Sequence, residues 1–70
     1  MKYLIAYKQN EDTYVYVNNI SSSVGVTMAY ASAINFITKD NAINVCKFLN
    51  DYDKNHDYIV LEYKFSMTEV

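Results

Sequence analysis

The sequence predicts an α+β domain: a three-stranded antiparallel sheet with one main helix packed on one face, in the order β-β-(short α)-α-β. Three observations carry this prediction. Two alternating apolar runs, 2–8 and 13–18, flank a short polar turn, as in a β-hairpin. One amphipathic run, 39–50, places its apolar residues at helical spacing. A last alternating run, 58–65, reads as a third strand. Seventy residues make a single domain, 1–70, and a chain this short buries only about 60% of its unfolded surface.

In "KYLIAYK", Tyr3, Ile5 and Tyr7 share one face while Leu4, Ala6 and Lys8 share the other. "QNED", 9–12, is the turn, and "TYVYVN", 13–18, is the β-branched and aromatic second strand. "NNISSSVG" breaks the pattern. Thr27 is a cap candidate for a short helix over 27–37, where Tyr30, Ala33, Ile34 and Ile37 stand at i, i+3, i+4 and i+7; a strand over 24–28 is the alternative. The main helix has Thr38 as N-cap and Asp40 in its first turn, where a negative charge suits the helix dipole. Its buried stripe is Ala42, Val45, Cys46 and Leu49, with Phe48 at the edge. In "YIVLEYKF", Ile59, Leu61, Tyr63 and Phe65 share one face and Tyr58, Val60, Glu62 and Lys64 the other; if the first set faces the helix, Tyr58 and Val60 lie on the reverse. The tail "SMTEV" reads as loose.

Composition narrows the function. There is no arginine; the six lysines are scattered and the formal net charge is −2, which argues against a nucleic-acid binder. Cys46 is the single cysteine, which excludes an internal disulfide and suits a reducing compartment. The opening apolar run is too short for a signal peptide, and 24–37 falls short of the roughly 20 residues a membrane span needs. The expectation is a cytoplasmic protein, within a bacterial host, with no membrane association. Asn19-Ile20-Ser21 matches a glycosylation acceptor, which that location leaves unused.

Catalytic and metal candidates are few. Asp51, Asp53, Asn55, Asp57 and Glu62 fall at positions 1, 3, 5, 7 and 12 of an EF-hand loop. Position 6, normally glycine, is His56, and a strand follows where an exiting helix is required. The sequence therefore favours a polar helix end and turn, with a calcium- or ligand-binding module over 51–62 as an alternative. Cys46 with His56 is a possible nucleophile and base, but Cys46 lies on the apolar stripe and no third orienting group is visible. One Cys and one His cannot complete a zinc site, and no glycine-rich loop offers a phosphate cradle. No enzyme activity and no cofactor are expected.

The positive signal is surface. One helix covers one face of the predicted sheet, yet both faces carry tyrosines and aliphatics. Two or three exposed tyrosines make an apolar patch of several hundred Å², the size that marks an interface. The residues singled out for interaction are Tyr14, Tyr16, Tyr52 and Tyr58, with Asp51, Asp53, Asp57 and Glu62 as an acidic rim. The competing arrangement is that 24–37 folds over the second face.

The layout resembles small proteins encoded by bacteriophages and other mobile elements. The opening "KYLIAYKQNEDTYVYV", then "ASAINFITKDNAINVCKFLN" and the closing "YIVLEYKF" carry the likeness, most characteristically in "A-x-x-F-x-T-K-D-x-A". The resemblance implies a non-enzymatic protein-interaction module that blocks a host protein, including anti-CRISPR inhibitors of CRISPR–Cas components. It implies no specific site residue. The alternative is a small homo-oligomeric structural or regulatory protein, of which a homodimer is the simplest form.

Overall fold

The computed structural model describes residues 2–21 and 23–70. Ser22, within the predicted break after the second strand, lies outside the described residues. The order is β1 (Lys2–Asn10), β2 (Thr13–Ile20), β3 (Val24–Thr27), a 3-10 turn (Tyr30–Ser32), α1 (Lys39–Tyr52), β4 (Ile59–Tyr63) and β5 (Met67–Glu69). The α+β class and the one main helix hold. Among the described residues the sheet has five strands rather than three, antiparallel throughout and ordered β3-β2-β1-β4-β5.

Sheet alternation sorts the core into two layers. Facing α1 are Ile5, Val17, Val60 and Tyr58, packed with Ala42, Cys46 and Leu49 of the helix. Thr38 caps the helix as expected, its Oγ1 accepting the Asn41 N–H at 3.3 Å. Facing away are Leu4, Ala6 and Leu61, which are nevertheless 0–1% exposed. Cross-strand partners share a face, and Leu4 pairs with Leu61, Ala6 with Ile59 and with Tyr16, and Lys2 with Tyr63. Ile59, Leu61 and Tyr63 therefore point away from the helix, Val60 and Glu62 point towards it, and Phe65 lies in the turn after β4. Both sets in "YIVLEYKF" are apolar, so alternation alone could not choose between them.

The stretch 24–37 is not a helix. Val24–Thr27 pairs with β2 as an edge strand, and only Tyr30–Ser32 turns, as a single 3-10 turn. Thr27 Oγ1 accepts the Ala29 N–H at 3.1 Å, closing a local turn instead of capping a helix. The ring of Tyr30 stacks on Tyr63 (5.2 Å, 24°) and meets Tyr16 edge-on (6.5 Å), so this segment lies across the face remote from α1. The chain then returns. Ile34 N–H donates to Val17 O (3.1 Å), and Tyr3 and Phe36 exchange backbone bonds at 2.9–3.0 Å. Residues 34–36 thus fill the gap where β1 and β2 diverge and carry the chain from one face to the other. The tail expected to be loose forms β5, with Val70 N–H donating to Val60 O at 2.9 Å.

Candidate functional site

The register of β1 places two loops at the same end of the sheet. The β1–β2 turn begins at Asn10, whose Oδ1 accepts the Asp12 N–H at 3.0 Å; Glu11 and Asp12 are exposed there. Antiparallel β4 begins opposite Ala6, so the α1–β4 loop lies beside the far end of β1. His56 of that loop stacks on Tyr7 of β1, with ring centroids 4.0 Å apart and 22° between planes. A groove of about 360 Å³ lies between these elements, lined by Lys8, Asn55, His56, Asp57, Ile59 and Glu69.

Asp53 organises the loop. Its N–H donates to Leu49 O at 2.8 Å and ends the helix. Its Oδ1 accepts the Asn55 N–H at 2.9 Å; its Oδ2 accepts from His56 Nδ1 at 2.9 Å and from the Tyr58 hydroxyl at 2.8 Å. A carboxylate only accepts, so His56 Nδ1 carries the proton of that bond. The His56 bond first, then those from Asn55 and Tyr58, hold the Asp53 carboxyl down at about 2. Burial, reinforced by Asp53, pushes the Tyr58 phenol well above its usual range. Asn50 closes the other side: Oδ1 accepts the Tyr58 N–H at 2.8 Å and Nδ2 donates to Tyr58 O at 3.0 Å. One helix side chain thus pairs both backbone groups of the residue entering β4.

The structure brings together most of the residues expected to interact. Asp57 and Glu69 line this groove and Asp53 bonds its His56, Glu11 and Asp12 lie in the β1–β2 turn at the same end, and Asp51 stands on the last turn of α1, together six of the eight acidic residues. Lys8 lines the groove with them and Lys54 pairs with Asp51 at 3.7 Å. Tyr14 opposes Lys8 and continues to Tyr16 (6.3 Å) along the sheet face remote from the helix. Tyr52 is 62% exposed, stacks on Phe48 at 6.1 Å and 12°, and lines a separate groove with Ile20, Ser21, Ser23 and Val24 beside the β2–β3 turn. Besides Tyr52, two of the expected residues lie elsewhere. Tyr58 is 5% exposed, a core residue bonded to Asp53. Glu62 points to the helix side opposite Tyr3, whose hydroxyl donates to it at 3.2 Å.

The EF-hand spacing does not assemble. Asp51 is exposed and 3.7 Å from Lys54 Nζ, both Asp53 oxygens are used within the loop, and the strand carries Glu62 roughly 16 Å beyond Asp57. Among the described residues, no three His, Cys, Asp or Glu side chains converge as metal ligands. Cys46 is buried on the helix, its Sγ 3.7 Å from Asn50 Nδ2, and burial raises its thiol pKa; His56 spends its Nδ1 on Asp53. Also among the described residues, no helix is long and apolar enough to cross a membrane.

The sequence reading missed Tyr30 and Tyr63, which extend Tyr14 and Tyr16 into a row of four rings across the sheet. Lys8 lies over the Tyr14 ring at 5.8 Å and Lys2 over Tyr63 at 5.9 Å. It also missed Asn50, whose only sequence signal was its place at the helix end. Compared with known proteins, the chain matches no protein family, no curated protein and no solved structure.

Proposed function

We propose that this chain is a non-enzymatic interaction module whose acidic end, flanked by Tyr14 and Tyr16, docks on a basic surface of a partner protein. The observation supporting this is the gathering of six of the eight acidic residues at one end of a small domain. Clustered like charge steers association with an oppositely charged surface and raises its rate. The tyrosines supply large, rigid contact area at low entropic cost. The resemblance to phage-encoded proteins points to a host protein as the partner and to inhibition as the outcome, a nucleic-acid-handling defence component of the CRISPR–Cas kind being the sharpest form of the reading.

The test is affinity capture from the native host with mass spectrometry, run in parallel with the triple variant Glu11→Lys, Asp51→Lys, Asp57→Lys. The expected result is a basic protein held by the parent, released by raised salt and lost by the variant. Capture that is indifferent to both charge reversal and salt rejects the reading.

A further inference from the structure

The opposite end of the molecule has the opposite character. Lys2 pairs with Tyr63, after which Lys64 and Phe65 form the tip of the β4–β5 turn. The Tyr3–Phe36 bridge brings Ile37 and Lys39 to the same end. Phe65 is 100% exposed and Ile37 88%, the two highest values among the described large hydrophobic residues. Lysines scattered in sequence are thus gathered by the fold around two bare apolar side chains.

We propose that a second copy of this chain occupies that end: the Lys64–Phe65 tip of one molecule enters the groove at the acidic end of the next. The two surfaces complement each other in charge and in shape. The groove, about 360 Å³, offers Ile59 and the His56 ring to a phenyl group, and two carboxylates, Asp57 and Glu69, against its one lysine, Lys8, to the Lys64 ammonium. A cavity of about 150 Å³ is enough to hold a benzene ring. Tip and groove lie at opposite ends of β1, roughly 20 Å apart from Lys2 to Lys8. That exceeds the Debye length of about 8 Å at physiological salt, so the basic tip acts independently of its own acidic end. Because the two surfaces differ, the contact is head-to-tail rather than two-fold, and every copy added leaves one tip and one groove open. The inference rests on the acidic end being a binding surface, as in the reading above, and makes a second copy compete there with the partner protein.

The experiment is sedimentation equilibrium of the purified chain, with no host protein present, at rising concentration in 50 mM and 500 mM salt. In low salt the average mass is expected to climb with concentration above the 8.1 kDa of one chain, and in high salt to fall back to it. Phe65→Ser and Asp57→Lys, both exposed positions, are each expected to weaken association at least tenfold while leaving the circular dichroism unchanged. Mixed one to one, they are expected to stop at twice the chain mass, because the intact tip of Asp57→Lys fits the intact groove of Phe65→Ser and nothing adds further. A chain that stays at 8.1 kDa to millimolar concentration, association blind to both variants, or a mixture that keeps growing each overturns the proposal. So does a monomer that pellets with phosphatidylserine vesicles through Phe65, which would give the tip to a lipid surface. Host capture is read separately: self-association that fails while capture succeeds removes only the second copy, and capture that fails while self-association succeeds removes only the host partner.

Discussion

Replacing Asn50 by Ala is expected to destabilise the domain by about 2–4 kcal/mol. Asn50 pairs the N–H and C=O of Tyr58, a residue 5% exposed. Removing the amide leaves both groups without their partner, and each such buried group costs about 1–3 kcal/mol. A 70-residue chain has roughly 4–10 kcal/mol of total stability, so the loss is a large fraction of it. The melting temperature is expected to fall by roughly 10–25 °C, at about 4–8 °C per kcal/mol for a domain of this size. Urea unfolding followed by far-ultraviolet circular dichroism reads the change directly. Asn50→Asp serves as the control. It keeps an acceptor for the Tyr58 N–H but turns a second acceptor towards the Tyr58 carbonyl. Protonation would restore a donor, so the folded state raises that carboxyl's pKa. The variant then gains stability relative to the parent as pH falls through the raised value, and Asn50→Ala does not. A loss below about 0.5 kcal/mol for Asn50→Ala, or an Asn50→Asp variant without this pH response, would refute the clamp.

Other outcomes follow from the same geometry. The Asp53 carboxyl is held at about 2 in the folded state against an ordinary 3.8, so its stabilisation is complete above about pH 4 and is lost as pH falls from about 4 towards 2; Asp53→Asn should flatten the urea midpoint across that window, and an unchanged slope would discredit the network. Leu4→Ala and Leu49→Ala, on opposite sheet faces and each 0% exposed, should both lose about 2–5 kcal/mol; a cost under 1 kcal/mol for Leu4 would show that the face remote from the helix is not a second core. Cys46, buried and with its thiol pKa raised, should react with Ellman's reagent at least 100-fold slower in the native protein than in guanidinium, and equal rates would place it at the surface.

What could be read from the sequence was whatever depended on local periodicity. β1, β2, α1 and β4 each carry a long enough alternating or helical pattern to declare themselves. β3 and β5 are four and three residues long, and their pairing rests on partners distant in sequence. In 27–37 the alanines and the spacing of Tyr30, Ala33, Ile34 and Ile37 favour helix, but β2 takes up Val24–Thr27 and Tyr3 takes up Phe36, and the intended buried face ends with Ile37 at 88% exposure. Tertiary pairing overrides propensity here. The site divides along the same line. Asp51, Asp53 and Asp57 were legible as a local acidic run, whereas their union with Glu11, Asp12 and Glu69 needed the strand register. Tyr58 and Glu62 belong to the same run in sequence, yet both turn to the helix side, since they share parity with the buried Val60.

The competing arrangement, with 24–37 folded over the second face, is realised in part. The Tyr30 segment and the neighbouring tyrosines bury Leu4, Ala6 and Leu61, but the rings themselves remain at the surface, Tyr30 at 42% exposure. What sets the acidic end apart is that its charges sit against the helix. The C-terminus of α1 bears the negative end of the helix dipole, yet Asp51 and Asp53 are there and no basic residue lies in the last turn. Asp53 is compensated by three hydrogen bonds, so its presence has a structural reason. Asp51 has only an exposed Lys54 at 3.7 Å, and such pairs contribute about 0–1 kcal/mol. An acid at a helix C-terminus costs about 0.3–1 kcal/mol, where a lysine would gain a similar amount. Asp51→Lys is therefore expected to raise the urea midpoint while weakening capture of a basic partner, the opposite signs expected when a residue is kept for binding at the expense of stability. A variant that is less stable than the parent, or equally able to hold the partner, would return Asp51 to the solvated surface.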